Sequence, residues 1–486
     1  MFLQFTKQAI IIKLKGGNYM DEHNIPRKRK PRKRTRVEIF KEEKLPLIIA
    51  AAAGVLILIF IIGSISNAVK REKIKQDRAT ASSQQSRKEK NALDKQVSTL
   101  LQNAQKAALG YDYDSALEIL EPVARHVASY PELKSALESY QAAKNTLVCW
   151  NDPAKIPNLS FQMLIADSAL AFNDSDYGSS FNRNYITISE FSRILEQLYK
   201  NGYVLVSLSD IYTSQASEDG AAAYMANAIY LPEGKKPVVI TQTNVNYDQY
   251  LIDSNKDGDL KDGRGFAKNL IIKDNKPVNQ MIDRNGNTLE GDYDLIPILE
   301  SFIASHPDFS YKNARAVIAL TGHEGLFGFR TNNKDSSTYY EDMNQAAATA
   351  QWLQNNGYEL ACYTYSNKAY GNIGITEIRS DLQKWNSEVT AILGDTQILV
   401  FAQRSDINAG GSYAGGQFEI LQESGFRFYL GFCEDGNPWS KATTQYVRQG
   451  RIMVAGATLA HNKSWFSGMF DADSVLDASR VDVPSW

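Results

Sequence analysis

The chain has 486 residues, 43% of them hydrophobic and 22% charged, which is enough apolar content to bury a large core and excludes wholesale disorder. Fifty-three Lys and Arg stand against 55 Asp and Glu, net −2, so a globally basic nucleic-acid binder is excluded as well. Three widely spaced cysteines, Cys149, Cys362 and Cys433, provide neither a disulfide framework nor a thiolate zinc site.

The charge is unevenly placed. Residues up to Lys44 hold 13 basic and 5 acidic side chains, which leaves an acidic body behind a basic head. Met20 follows Lys15-Gly16-Gly17, the coding echo of a purine-rich ribosome-binding site, so residues 1–19 are expected to precede a bacterial start. A dense run from Arg27 to Arg36 (RKRKPRKRTR) comes next. No charge then occurs from Leu45 to Val69, and Leu47 to Ile62 is almost purely apolar with no polar face. Twenty-five uncharged residues rise about 37 Å as a helix, against about 30 Å of hydrocarbon. The expectation is an uncleaved transmembrane helix over 45–67, with residues 1–44 cytoplasmic because positive flanks stay inside, and the remaining chain extracytoplasmic. The same run beside a spanning helix is read as topology and lipid contact, with no nucleic-acid partner.

Residues 68–90 are polar and are expected as a stalk or a helical extension of the anchor. From 91 to 149, apolar residues fall at helical spacing: Leu93, Val97, Leu100, Leu101 and Ala104, then Ala116 to Leu120, then Leu133, Leu137 and Tyr140. Gly110 with Asp112 breaks the first pair, and Pro131 suits a first helical turn. GYDYDSALEIL looks like half a tetratricopeptide unit, and the role expected for this small α-helical part is a spacer or docking module. From 150 to 486, strands are predicted at Phe161–Ala166, Val204–Leu208, Pro237–Thr243, Ala316–Thr321, Tyr358–Tyr363, Gln397–Phe401, Phe426–Phe432 and Arg451–Ala455. Helices are predicted between them at Ile188–Asn201, Tyr293–Ala304, Tyr340–Asn356, Ile375–Leu393 and Gly415–Ser424. Repeated strand then helix argues a parallel sheet, and eight or so strands favour a closed α/β barrel over an open one.

At this point ITISEFSRILEQLYKNGYVLVSLSDIY, KKPVVITQTNVNY, the LACYTYSN run from Leu360 to Asn367, and YVRQGR together resemble the polysaccharide deacetylase family with its NodB-type homology domain, over about Asn158 to Trp486. The resemblance implies an irregular (β/α) TIM-like barrel that removes acetyl groups from amino sugars of chitin-like polymers or peptidoglycan. In active members the strand matching VVITQTN ends Thr-Phe-Asp-Asp, the first Asp a base and the second a metal ligand; here Thr243 and Asn244 stand there. The His-Thr-x-x-His ligand motif matches Tyr363 and Asn367. Amide hydrolysis of this kind needs a metal-bound water and a base, and hydroxyls and amides replace imidazole and carboxylate donors poorly. The arginine and proline segment of the family is replaced by Gln403, Arg404 and Asp406, and Leu459-Ala460-His461 is the match to its general-acid element, leaving His461 as either that acid or a structural loop histidine.

The expected function is therefore a membrane-anchored, catalytically lapsed deacetylase-like protein that binds cell-wall polysaccharide, peptidoglycan or an envelope partner. Thr243, Asn244, Tyr363, Tyr365 and Asn367 would line the concave strand ends. Two alternatives stay open. One is an active carbohydrate N-deacetylase with a rearranged metal site, for which His323-Glu324 is the one compact pair; the other is an envelope scaffold that binds no glycan. No transition metal or other cofactor is expected. Asp253, Asn255, Asp257 and Asp259, with Gly258, follow the first half of a calcium loop, but Arg264 occupies the twelfth position and only Asp262 is left to compensate, so the segment is either a calcium loop or a plain acidic turn. Trp439, Trp465 and Tyr413 are either sugar-stacking or core residues.

Overall fold

The computed structural model describes residues 36–216, 222–253 and 263–486. The basic run up to Thr35, the segment before Met20, and Asn255, Asp257, Asp259 and Asp262 of the calcium-like loop lie outside the described residues. The chain forms two compact units, Met1–Ala92 and Leu93–Trp486.

The described part of the first unit is helical. Helix α1 (Arg36–Leu109) carries the apolar stretch, whose side chains stand out in the open, Leu47 at 71% and Phe60 at 77% exposure. By length and composition this is one helix able to cross a membrane. The polar residues behind it continue the same helix, so the stalk takes the helical form.

The second unit begins with the end of α1, followed by α2 (Tyr113–Leu120), a 3₁₀ segment (Glu121–Ser129) and α3 (Pro131–Asn145). Asp112 caps α2 by accepting from the Ser115 N–H at 3.2 Å, and Pro131 sits in the first turn of α3. Val97, Ala104, Ala116, Leu120, Val123 and Leu133, each at most 1% exposed, form its small core.

Seven parallel strands then close on themselves: β1 (Asn158–Phe161), β2 (Lys236–Thr243), β3 (Val317–Leu320), β4 (Glu359–Cys362), β5 (Ile398–Val400), β6 (Phe428–Phe432) and β7 (Val447–Met453). Each pairs with the next in chain order, and β7 pairs back onto β1, Arg451 opposite Asn158. Around them lie α4 (Ile188–Lys200), α5 (Leu295–Ser305), α6 (Tyr339–Asn355), α7 (Ile375–Lys384) and α8 (Gly416–Glu423). Thr187 and Glu190 form a reciprocal cap on α4, which buries Phe191, Ile194, Leu195 and Leu198 at helical spacing. Outward strand residues such as Leu159, Ile240 and Ile318 pack under these helices, while Val239, Ala319, Ala361, Val400 and Leu430 fill the interior.

The predicted elements recur within a few residues, with three differences. The first strand lies at Asn158–Phe161 and not Phe161–Ala166, because Leu164 and Ile165 turn inward as a buried loop. Val204–Leu208 becomes Tyr203–Leu205, which pairs with the start of β2, adds a single parallel bridge from Leu205 to Ser310, and stays outside the seven-strand closed barrel. The stretch after β2 folds as a three-stranded antiparallel sheet, Asn269–Lys273, Lys276–Ile282 and Thr288–Gly291, which was not expected. Its signal is the two-residue turn Asp274-Asn275, both at positive φ, beside the alternating KPVNQMI.

Candidate functional site

The interior side chains change character along the strands. Halfway up, Thr241 donates to Asn158 at 2.8 Å and Asn158 donates to Gln449 at 2.9 Å, a polar row across three neighbouring strands. Above it come Ser160, Thr243, Tyr363 and Arg451 at the carboxyl ends of the strands, where parallel barrels present their reactive loops.

The loops on this side carry backbone strain. Asn244, Tyr247, Thr364, Asn367, Gln403 and Arg404 have φ between 52° and 63°. Asparagine tolerates that region, but Tyr, Thr, Gln and Arg do not, and each such residue costs about 1–3 kcal/mol. Side-chain hydrogen bonds hold the strained loops in place. Asn246 donates to the Thr321 carbonyl at 2.7 Å and accepts from the Thr321 N–H at 3.0 Å, fastening the loop after β2 to that after β3. Asp381 accepts from the Tyr365 N–H at 2.8 Å, the Ser366 N–H at 3.1 Å and the Tyr370 hydroxyl at 2.8 Å, and Gln403 donates to the Asn367 carbonyl at 2.6 Å.

Of the residues singled out from sequence, Thr243 and Tyr363 meet here, with Asn244 and Asn367 on the adjoining loops. Thr243 is 3% exposed and donates to the Phe161 carbonyl at 3.2 Å. Tyr363 contacts Thr243 and faces Arg451; burial pushes its phenol up, with the Arg451 charge opposing. Asn244 donates to Asp248 at 3.3 Å, and Asn367 keeps a buried side-chain oxygen without a partner. Tyr365 does not line the mouth as expected: it is 7% exposed and turns outward, its hydroxyl donating to Glu388, because Asp381 holds its N–H and fixes the direction of the residue. His461 is exposed at the end of the Gly456–His461 helix, a ring nitrogen 2.8 Å from the Val483 carbonyl oxygen. Gln403 and Arg404 lie on the loop after β5, whereas Asp406 pairs with Arg448 at 2.9 Å. Tyr413, hydrogen-bonded to Asp406 at 2.8 Å and 5% exposed, is a core residue, and Trp439 packs on Arg448 beside it. Arg264, the twelfth residue of the calcium-like loop, donates to Asp174 at 2.8 Å and stacks on Tyr177.

Two residues that sequence reasoning passed over belong to the site. Arg451 is 1% exposed, with burial pulling its guanidinium down to about 10, still fully charged near neutrality. Asp248 follows Asn244 by four residues and keeps one buried carboxyl oxygen without a partner; burial and then Glu324 raise its pKa, against His323 and Asn244. Tyr185 and Tyr250, whose hydroxyls lie 3.4 Å apart, share this surrounding. The available signal for Arg451 was the YVRQGR run, which carries two arginines within seven residues of a buried strand.

A transition metal does not fit the matched positions. Thr243 and Asn244 spend their donors on a carbonyl and a carboxyl, Tyr363 is held as a neutral phenol, and no three His, Cys, Asp or Glu side chains converge among the described residues.

No known family model matches the chain, and no curated protein matches it. Among solved structures, it is similar to the Streptococcus pyogenes deacetylase PplD in complex with acetate, at 12% identity and a TM-score of 0.32, over 64% of this chain and 94% of that one.

Proposed function

We propose that this chain is a membrane-anchored, extracytoplasmic protein whose deacetylase-like barrel binds cell-wall glycan at the strand ends without deacetylating it. One observation carries the reading: at the mouth, the residues matching the base and metal ligands of the resembled family are Thr243, Asn244, Tyr363 and Asn367, hydroxyls and amides held by strained, firmly braced loops. Such groups hydrogen-bond sugar hydroxyls but cannot lower the pKa of a water. The apolar part of α1 serves as the single-pass anchor.

A second reading has its own support. Asp248, its pKa raised by burial and Glu324 and one oxygen unspent beside His323, has the character of a proton-transfer group, which suits a hydrolase with a rearranged site.

One experiment separates the readings. The full-length chain in detergent is mixed with insoluble peptidoglycan and, in parallel, with N-acetylated chitin oligosaccharides. Retention on the polymer with no acetate above background is the expected result. Acetate release that disappears in Asp248→Asn overturns the lapsed reading in favour of the hydrolase, and absence of both leaves an envelope scaffold.

A further inference from the structure

Elsewhere in the barrel, buried arginines sit beside an acid. Arg264 lies 2.8 Å from Asp174, Arg315 2.6 Å from Glu300, Arg448 2.9 Å from Asp406 and Arg480 2.6 Å from Glu190. Arg451, more deeply buried than Arg264, Arg315 or Arg448, has no carboxylate partner among the described residues. One Nη donates to the Ser160 hydroxyl at 2.8 Å and the other to the Phe401 carbonyl at 3.0 Å, while the Nε–H has no acceptor. The remaining N–H groups of its five-donor fork are uncommitted.

This cation is the inner end of a row. Its guanidinium lies 4.3 Å from the centre of the Phe432 ring, and Arg404 lies 5.7 Å from the same ring. Arg404 is in turn 5.5 Å from the Trp486 ring, with Arg183 on that ring at 6.0 Å. Neither Arg183 nor Arg404 forms an ion pair among the described residues, and the Arg183 Nε is also buried without an acceptor. Three arginines thus alternate with two aromatic rings, from Arg451 on β7 and Phe432 at the end of β6, through Arg404 on the loop after β5, to Trp486 and to Arg183 on the Gly178–Asn184 helix. Cation–ring contacts return less than burying an unpaired cation costs. A bound anion supplies the missing compensation, and a planar guanidinium fork matches a planar carboxylate through two parallel bonds.

We propose that the saccharide taken at this mouth is acidic: its carboxylates pair with Arg451 and Arg404, and its ring faces lie along Phe432 and the half-exposed Trp486. The inference rests on the glycan-binding reading of the same mouth and names its substrate class.

The test is calorimetric titration of the full-length chain in detergent with a glucuronate-containing oligosaccharide, and with the same compound after reduction of its carboxyl groups to alcohols. The acidic form is expected to bind at least tenfold more tightly, with that preference lost in Arg451→Met and reduced several-fold in Arg404→Gln, an exposed position whose change leaves the core intact. Equal affinity for the two compounds overturns the carboxylate assignment and leaves glycan binding standing. Binding of neither overturns it as well; retention on peptidoglycan then decides whether the glycan reading falls too. Tighter binding of a sulfated oligosaccharide than of the glucuronate compound also overturns it, in favour of a tetrahedral anion.

Discussion

Asp294 shows how a single residue ties the site to the stability of the barrel. It is fully buried below the strained loops, where one oxygen accepts from the Leu164 N–H at 2.9 Å and Gln242 at 2.7 Å and the other from the Tyr247 hydroxyl at 2.8 Å. Burial pushes its carboxyl up to about 6, against the pull of those donors. The folded chain therefore keeps a proton that the unfolded chain releases above pH 4. The stability this group contributes is present below that pH and is lost as pH rises through 6, in total about 3 kcal/mol. Other acids add their own slopes, so the difference between wild type and Asp294→Asn isolates it. Urea unfolding at pH 4, 5, 6 and 7 is expected to show that difference moving against the wild type across the window. A flat difference would place the carboxyl near its ordinary value. At this same scale the sequence identified Thr243, Asn244, Tyr363 and Asn367 through a motif, yet missed Arg451 and Asp248. No spacing rule marks a residue whose importance comes from lacking an opposite charge among the described residues.

Among the elements, the loop after β4 depends on a helix that contributes nothing else to the mouth. Asp381 on α7 is 2% exposed and accepts from two backbone N–H groups and the Tyr370 hydroxyl, and this brace holds Thr364 and Asn367 at positive φ. Asp381→Ala strands three inner donors at once. A loss of about 3–5 kcal/mol in unfolding free energy is expected, accompanied by loss of glycan retention at temperatures where the barrel is still folded. Asp381→Asn, which keeps only part of the acceptor capacity, should fall between. Unchanged retention in a folded Asp381→Ala protein would show that the loop is not part of the binding surface. The element boundaries were legible where periodicity was clean, as in α4 with Phe191, Ile194, Leu195 and Leu198 on one face. They slipped at β1, where Met163, Leu164 and Ile165 continue the apolar run past the strand end because the loop itself is buried.

At the scale of the whole molecule, one helix among the described residues is long and apolar enough to cross a membrane. The apolar side chains of α1 between Leu47 and Ile62 are mostly exposed in their own unit, a surface that water does not tolerate unless lipid or protein covers it. A charge at the centre of a spanning helix costs about 2.5–3.5 kcal/mol. Ile57→Arg together with Ile61→Arg is therefore expected to move the chain from the alkaline-resistant membrane pellet to the soluble fraction. Persistence of the double variant in the pellet would mean that attachment lies elsewhere.

Length, charge placement and periodicity by themselves determined the apolar helix, the small helical spacer and the alternation that closes into a parallel barrel, since each depends on local composition or on which face of an element is apolar. The same local signals placed the matched motif residues at strand ends. Tertiary structure alone decided that seven strands close while Tyr203–Leu205 stays outside, that Tyr365 turns away from the mouth, and that Arg451 stands in the interior with no acid opposite among the described residues. Those outcomes depend on which side chains meet across the barrel, and contacts between residues hundreds of positions apart, such as Arg451 and Ser160, leave no periodic trace in the chain.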